Sequence, residues 1–384
     1  MSVDQFKKEI DMHVITIGGA TQDVFLSYHG ADSITIAKRN VAEHYMLFES
    51  GEKIEVDSIS YITGGGATNS AVSFKQQGFD VTTFCKIGLD HVGDFVLDSL
   101  HKFGIKTNLL RRSNTYETGK SFIINSLQGE RTIFAFRGAN NHLDLTPLVC
   151  DELNMADLLY ITSLSNESAT ILPSLIACAQ NFNIPIAINP GSSQLAKGAA
   201  GLKLALKHVK ILILNSSEAH TFMISLIESN DSYKHALKTQ QPHETTAVSN
   251  CSPYLLNNPI AYNNLYFSMQ QFFKEVLTMG PEIVVITNGA NGVYVATNEE
   301  ILFHPSIKTE VVDTVGAGDA FGSCFTGSLI QGHSIEKSLR RGVINSASVL
   351  RFLGAKEGLL TNDQLEQQIT TVDSNLLQRF PLLP

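Results

Sequence analysis

Val311–Gly322 reads VVDTVGAGDAFG. Two acids, Asp313 and Asp319, flank a run of very small residues, and Asp319 opens a helix-like pattern directly behind Gly316-Ala317-Gly318. Helix N-termini favour anions, so a cap is a sufficient account of an acid there. Capping does not explain the three small residues before it. Their backbone N–H groups can converge at the start of a helix as an anion hole. A carboxylate beside that hole can take the proton of a hydroxyl attacking a phosphoryl group. Such transfer is mostly positioning and charge stabilisation, so donors for the phosphate and a base for the nucleophile are the parts it needs.

Outward from this stretch the chain alternates short apolar runs with helical patterns. HVITI (13–17) is a β-branched run delivered into Gly18-Gly19, and further strands are expected at 157–162, 185–190, 209–215 and 282–289, with helices between them. Helices also fall at 67–77, stopped by Gly78, and at 90–104. This is the pattern of an α/β fold with a largely parallel central sheet covered by helices on both faces. Residues 24–62 and 116–136 alternate instead. They read as antiparallel strands, the second set a hairpin turning at Gly129-Glu130, and together as a small β lid. Residues 228–262 are polar and weakly periodic and read as a surface insertion, after which a helical pattern resumes at 265. The apolar tail from 374 is expected to pack on the body.

The bulk numbers narrow the partners. The 384 residues carry a net charge of −9, with a pI of about 5.7, which argues against a nucleic-acid partner. No apolar run approaches membrane-spanning length, and the N-terminus lacks a signal-peptide core, so a cytoplasmic protein is expected. The five cysteines, Cys85, Cys150, Cys178, Cys251 and Cys324, are widely spaced, odd in number and form no CxxC pair. Thiols in a reducing compartment are expected rather than a disulfide framework or zinc site.

Other short stretches are less specific singly. TGKS (118–121) lacks the upstream glycine of a phosphate loop, because Asn114 stands there. GGAT after the first strand lacks G-x-G-x-x-G spacing. TGGGATNSA (63–71) permits close backbone approach and leads into a helix whose first turn carries Asn69, an amide able both to donate and to accept. In LNSSEA (214–219), Asn215 and Glu218 are spaced either for a capping box or for a magnesium ion held through its waters. TNGANG (287–292) is at least a hairpin turn.

Taken in order, these pieces resemble the PfkB/ribokinase family of carbohydrate and nucleoside kinases. GGGATNSA is similar to that family's first signature, with Gly78 and Gly88 downstream. DTVGAGDA is similar to its second, NSSE to its N-x-x-E motif, TNGANG to its nucleotide-binding turn, and FRGANNHLDLTP (136–147) to the segment after its lid hairpin. The resemblance implies one ribokinase-like kinase domain over 1–384, a lid from about 24–62 and 110–137, and the insertion at 228–262. It implies ATP-dependent phosphorylation of a primary hydroxyl of a small sugar, with a nucleoside as the alternative acceptor and a catalytically silent ligand-binding protein as a further one. Asp319 is implied as the base, and Gly316, Ala317 and Gly318 as the anion hole. Asp23, Gly64, Gly65 and Asn69 are implied as acceptor contacts. Asn215 and Glu218 would organise Mg-ATP, with Thr287, Gly289, Gly292 and Asn345 on the nucleotide side. Asp313 is a candidate neighbour for potassium. The chain departs from ribose-preferring members at Gly66, where they carry lysine, and at Ser163 and Ser165, where they carry glutamate. A lid sheet has edges to cover, and a homodimer through the lid would cover them.

Overall fold

The β-branched runs form the middle of a nine-stranded sheet. Its order is Gln378–Pro381, Glu300–His304, Val293–Ala296, Ile283–Thr287, Ile211–Asn215, Ile186–Ile188, Leu158–Ile161, His13–Ile17 and Asp80–Phe84. The six strands from Ile283–Thr287 to Asp80–Phe84 are parallel, and the first three extend the sheet antiparallel. This structure is a computed structural model. It describes residues 12–28, 32–38, 41–125, 131–195, 200–229, 253–262 and 265–382.

Side chains alternate across a strand, so a strand buried on both faces feeds two cores. Ile15, Leu159, Leu212 and Val284 enter one core with Phe222 and Phe273, from the helices Ser216–Ser229 and Met269–Thr278. Val14, Tyr160, Ile213 and Val285 enter the other with Phe74, Phe321 and Val343, from Gly66–Gln76, Ala317–Ile330 and Ile335–Val349. The apolar tail supplies the outermost strand of the sheet, with Phe380 packed on the first core.

The lid is a four-stranded sheet ordered Arg131–Phe136, Gly119–Asn125, Thr21–Ser27 and Ser58–Gly64. Its inner two strands pair in parallel, in contrast to the antiparallel arrangement expected from alternation alone. Period two reports which face a residue takes, not which way its neighbour runs. Asp32–Lys38 and Val41–Leu47 form a separate hairpin. The lid's second segment begins at Gly119 rather than 110, because Arg111–Ser113 pairs with Lys86–Gly88 instead.

Two further expectations change. Cys150 and Cys178 lie on adjoining helices with Cα atoms 5.7 Å apart and are joined as a disulfide, while Cys85 and Cys324 are buried free thiols. Cys251 lies outside the described residues, as does residues 230–252 of the expected insertion. Within its described end, Tyr254–Asn257 is a short helix and Ile260–Tyr262 pairs with Leu265–Phe267, so the next helix begins at Met269 rather than 265. No helix among the described residues is long and apolar enough to cross a membrane.

Candidate active site

Two helix N-termini converge over the sheet. Gly65, at φ 98°, starts the helix Gly66–Gln76, and Gly316, at φ 79°, starts Ala317–Ile330. Both conformations disfavour a side chain. A Cβ on Gly65 would also lie 2.5 Å from the Gly19 carbonyl oxygen, and one on Gly316 would strike Ala355. The glycine cluster therefore touches the loop after the first strand. Small residues let the two helices approach, and Ser323 Oγ donates to Ser73 Oγ at 2.6 Å across their contact.

Asn69 and Asp319, 250 positions apart in sequence, meet there. Asn69 Nδ2 donates to Asp319 Oδ2 at 2.8 Å. Burial pushes the Asp319 carboxyl up to about 6, against the lowering effect of the Asn69 hydrogen bond and of the Lys356 charge. Asp23 is buried on the lid strand Thr21–Ser27 and accepts from Thr21 Oγ1 at 3.0 Å. Burial raises its pKa too, opposed by hydrogen bonds from Ser121 and Thr21 and by Lys356. Gly64 lies directly against the Asp23 carboxylate, with no room for a Cβ. The position of Gly66 is equally closed: a Cβ there would sit 2.8 Å from Thr162 Oγ1. A lysine in that place would require the Thr162 side chain to shift.

In sequence nothing distinguishes Lys356, one charge in the stretch GAKEGLL. It is 6% exposed and reaches the glycine cluster from a distant loop. Burial lowers its pKa to about 8, opposed by Asp23 and Asp319.

Among the described residues, no side chain caps the N-terminus of Ala317–Ile330. The first N–H groups of any helix lack an intrahelical acceptor, so this end is open to an anion. Beside it is a cavity of about 580 Å³ lined by Ala317 and Gly318 together with Thr287, Gly289 and Gly292. The anion-hole residues and the nucleotide-turn residues thus share one space. Among the described residues, Lys308 is the one charged side chain lining it.

Asn215 and Glu218 form a reciprocal capping box. The Asn215 N–H donates to Glu218 Oε2 and the Glu218 N–H to Asn215 Oδ1, both at 2.8 Å. Burial raises the Glu218 carboxyl, and the Asp319 charge adds to the rise. A carboxyl whose proton affinity is raised by a neighbouring carboxylate is a favourable place for a cation. The box uses Oε2 and leaves Oε1 outside it.

Two expected site residues have other work. Asn345 is buried with its amide fully committed. Its Nδ2 donates to the Ala320 carbonyl at 2.9 Å, and its Oδ1 accepts the Leu360 N–H at 2.9 Å. It does not line the cavity, which its helix reaches through Val343, Ser346 and Ala347. Asp313 is buried, and its oxygens accept the N–H groups of Val315 and Gly354 at 3.1 and 3.0 Å.

The description pfkB family carbohydrate kinase matches residues 32–250 and 268–362. The chain belongs to this family. It is an ATP-dependent kinase of the carbohydrate kinase type. Ribokinase of Bacillus subtilis (strain 168) is 26% identical over 328 residues, covering 84% of this chain and 92% of that protein. Arabidopsis thaliana ribokinase complexed with ribose and ATP superposes with a TM-score of 0.70 at 17% identity, covering 94% of this chain and 99% of that one. The nucleoside kinase of Methanocaldococcus jannaschii superposes with a TM-score of 0.67 at 19% identity, covering 94% and 99%.

Proposed function

We propose that this kinase transfers the γ-phosphoryl group of ATP to a primary hydroxyl of a small sugar held between the lid and the glycine cluster. The observation that carries the reading is the Asn69–Asp319 contact at an uncapped helix N-terminus beside the nucleotide-sized cavity. Asp319 takes the proton of the acceptor hydroxyl. The hydroxyl oxygen forms its bond to the γ-phosphorus as the bond to the bridging oxygen breaks, and that electron pair leaves with ADP. The N–H groups of Ala317 and Gly318, with the turn at Gly316, face the charge that develops on the transferring group. Asp23, Gly64, Gly65 and Asn69 bind the acceptor hydroxyls. Thr287, Gly289 and Gly292 line the nucleotide side.

Magnesium bound with ATP would neutralise phosphate charge, and the Asn215–Glu218 pair suits it through water. Asp313 is the candidate neighbour for potassium: each of its oxygens accepts one backbone N–H and keeps a further lone pair.

The nucleoside alternative needs an aromatic ring facing the acceptor. The register puts Phe134 and Phe136 on the lid face opposite Asp23, while Phe25 shares the Asp23 face but is packed away. A sugar is therefore the favoured acceptor. The decisive test of the chemistry is Asp319→Asn. Turnover should fall at least about 100-fold, in keeping with loss of a general base, while thermal melting stays cooperative. Near-normal turnover with any accepted sugar overturns the mechanism.

A further inference from the structure

Lys356 belongs to none of the motifs quoted above, yet among the described residues its charge is the cation that bears on the Asp319 carboxylate. Its ammonium donates to the Thr63 carbonyl at 2.5 Å, to Asn69 Oδ1 at 3.0 Å and to Thr68 Oγ1 at 3.1 Å. An ammonium has three N–H donors, and these acceptors use all of them. None remains for a substrate hydroxyl or phosphate. The bond to Asn69 has a directional consequence. With Oδ1 on the ammonium, the amide must turn its Nδ2 outward, where it donates to Asp319 Oδ2. A half-turn of the amide would set NH₂ against the ammonium and oxygen against the carboxylate, both repulsive.

The loop bearing Lys356 is fixed at both ends. Asp313 Oδ2 accepts the Gly354 N–H, and Asn345 Oδ1 accepts the Leu360 N–H. Asp313 and Asn345, which the sequence offered as ligand contacts, hold the platform that carries this lysine. The groups facing the cluster are Asp23 from the lid, Asp319 from its helix, Glu218 and Tyr160 toward Asp319, and Asp313 toward Asp23.

We propose that Lys356 is a positioning residue for phosphoryl transfer: acting through Asn69, it fixes the Asp319 carboxylate and holds it ionised. This rests on Asp319 being the base, and the test separates the two claims. Lys356→Met keeps the aliphatic stem and removes the charge. It should lower kcat about 10- to 100-fold, the scale of one charge-assisted hydrogen bond, with acceptor KM changed by less than about threefold. The acid limb of kcat against pH should move upward, because the cation opposing protonation of Asp319 is gone. Lys356→Gln is the second variant should the first fail to melt cooperatively. Because the lysine acts through Asn69, adding Lys356→Met to Asn69→Ala should cost little further kcat. Fully additive losses overturn the proposal, as does a rise in KM at unchanged kcat, which marks direct substrate contact. Wild-type kcat and acid limb in both lysine variants, with Asp319→Asn inactive, overturn it while leaving the base in place. Turnover retained in Asp319→Asn removes the base assignment and this proposal with it.

Discussion

At the scale of single residues, the site depends on a carboxylate whose proton affinity is set by opposing neighbours. Desolvation raises Asp319 to about 6, so as a base it gains competence as pH rises through that value. The rate should therefore fall on the acid side with an apparent pKa near 6, and a profile flat to pH 5 would contradict the assignment. The stability linkage has the opposite sense. A carboxyl raised in the folded state favours folding in its protonated form, and that contribution is lost as pH rises through the folded pKa. Asparagine cannot ionise, so Asp319→Asn should gain Tm relative to wild type on going from pH 5 to pH 7.5. A relative change of the opposite sign would mean that the carboxylate is better paired than its burial implies. Asp319 was legible in sequence because small residues precede it and give it a context. Lys356 was not, because a lone lysine in an apolar loop has no spacing that reports which cleft it enters. Its role depends on a meeting with Asn69, 287 positions away.

At the scale of elements, one end of one helix can serve both as a cap and as a ligand site. Asn215 and Glu218 close a capping box, the mundane reading of LNSSEA, without exhausting Glu218. Glu218→Gln separates the roles, since glutamine also completes such a box. It should leave Tm nearly unchanged while raising the magnesium concentration needed for half-maximal rate. An unchanged magnesium dependence would reduce the pair to a cap. Asn345 is the converse case, a polar residue on a helix near the nucleotide that proves to be a strut. Asn345→Ala leaves the Leu360 N–H without its acceptor and should cost about 1–3 kcal/mol in stability by denaturant titration. ATP KM, measured on the folded fraction, should hold; a large rise would restore the nucleotide contact. Helices and parallel strands were legible from periodicity, as was the lid hairpin. The parallel pairing inside the lid was not, nor the Cys150–Cys178 bond, since each depends on how distant segments are set side by side.

At the scale of the whole molecule, the lid has two unlike faces, and its register explains why. Asp23 pairs with Ile62 and Ser121, and this face, with Phe25 and Ile123 buried, turns toward the body. One residue along, Val24 pairs with Tyr61 and Phe122, and Phe122 with Phe134, so an apolar row crosses all four strands on the other side. Tyr61, Phe122, Phe134 and Phe136 are exposed there, at 58%, 41%, 56% and 49%. Exposed aromatic side chains grouped on one face of a chain of net charge −9 are the kind of patch that marks an interaction surface. Among the described residues no further strand pairs with the outer strands Arg131–Phe136 and Ser58–Gly64. We propose that a second copy of the chain covers this face, lid against lid. Sedimentation velocity at micromolar concentration should give a dimer, and Phe134→Glu should shift it toward monomer by placing a charge in the apolar row. Because the row lies opposite Asp23, the monomeric variant should keep phosphoryl transfer but lose lid order, raising acceptor KM more than it lowers kcat. A monomeric wild type at those concentrations, or a Phe134→Glu variant that still sediments as a dimer, would place the contact elsewhere.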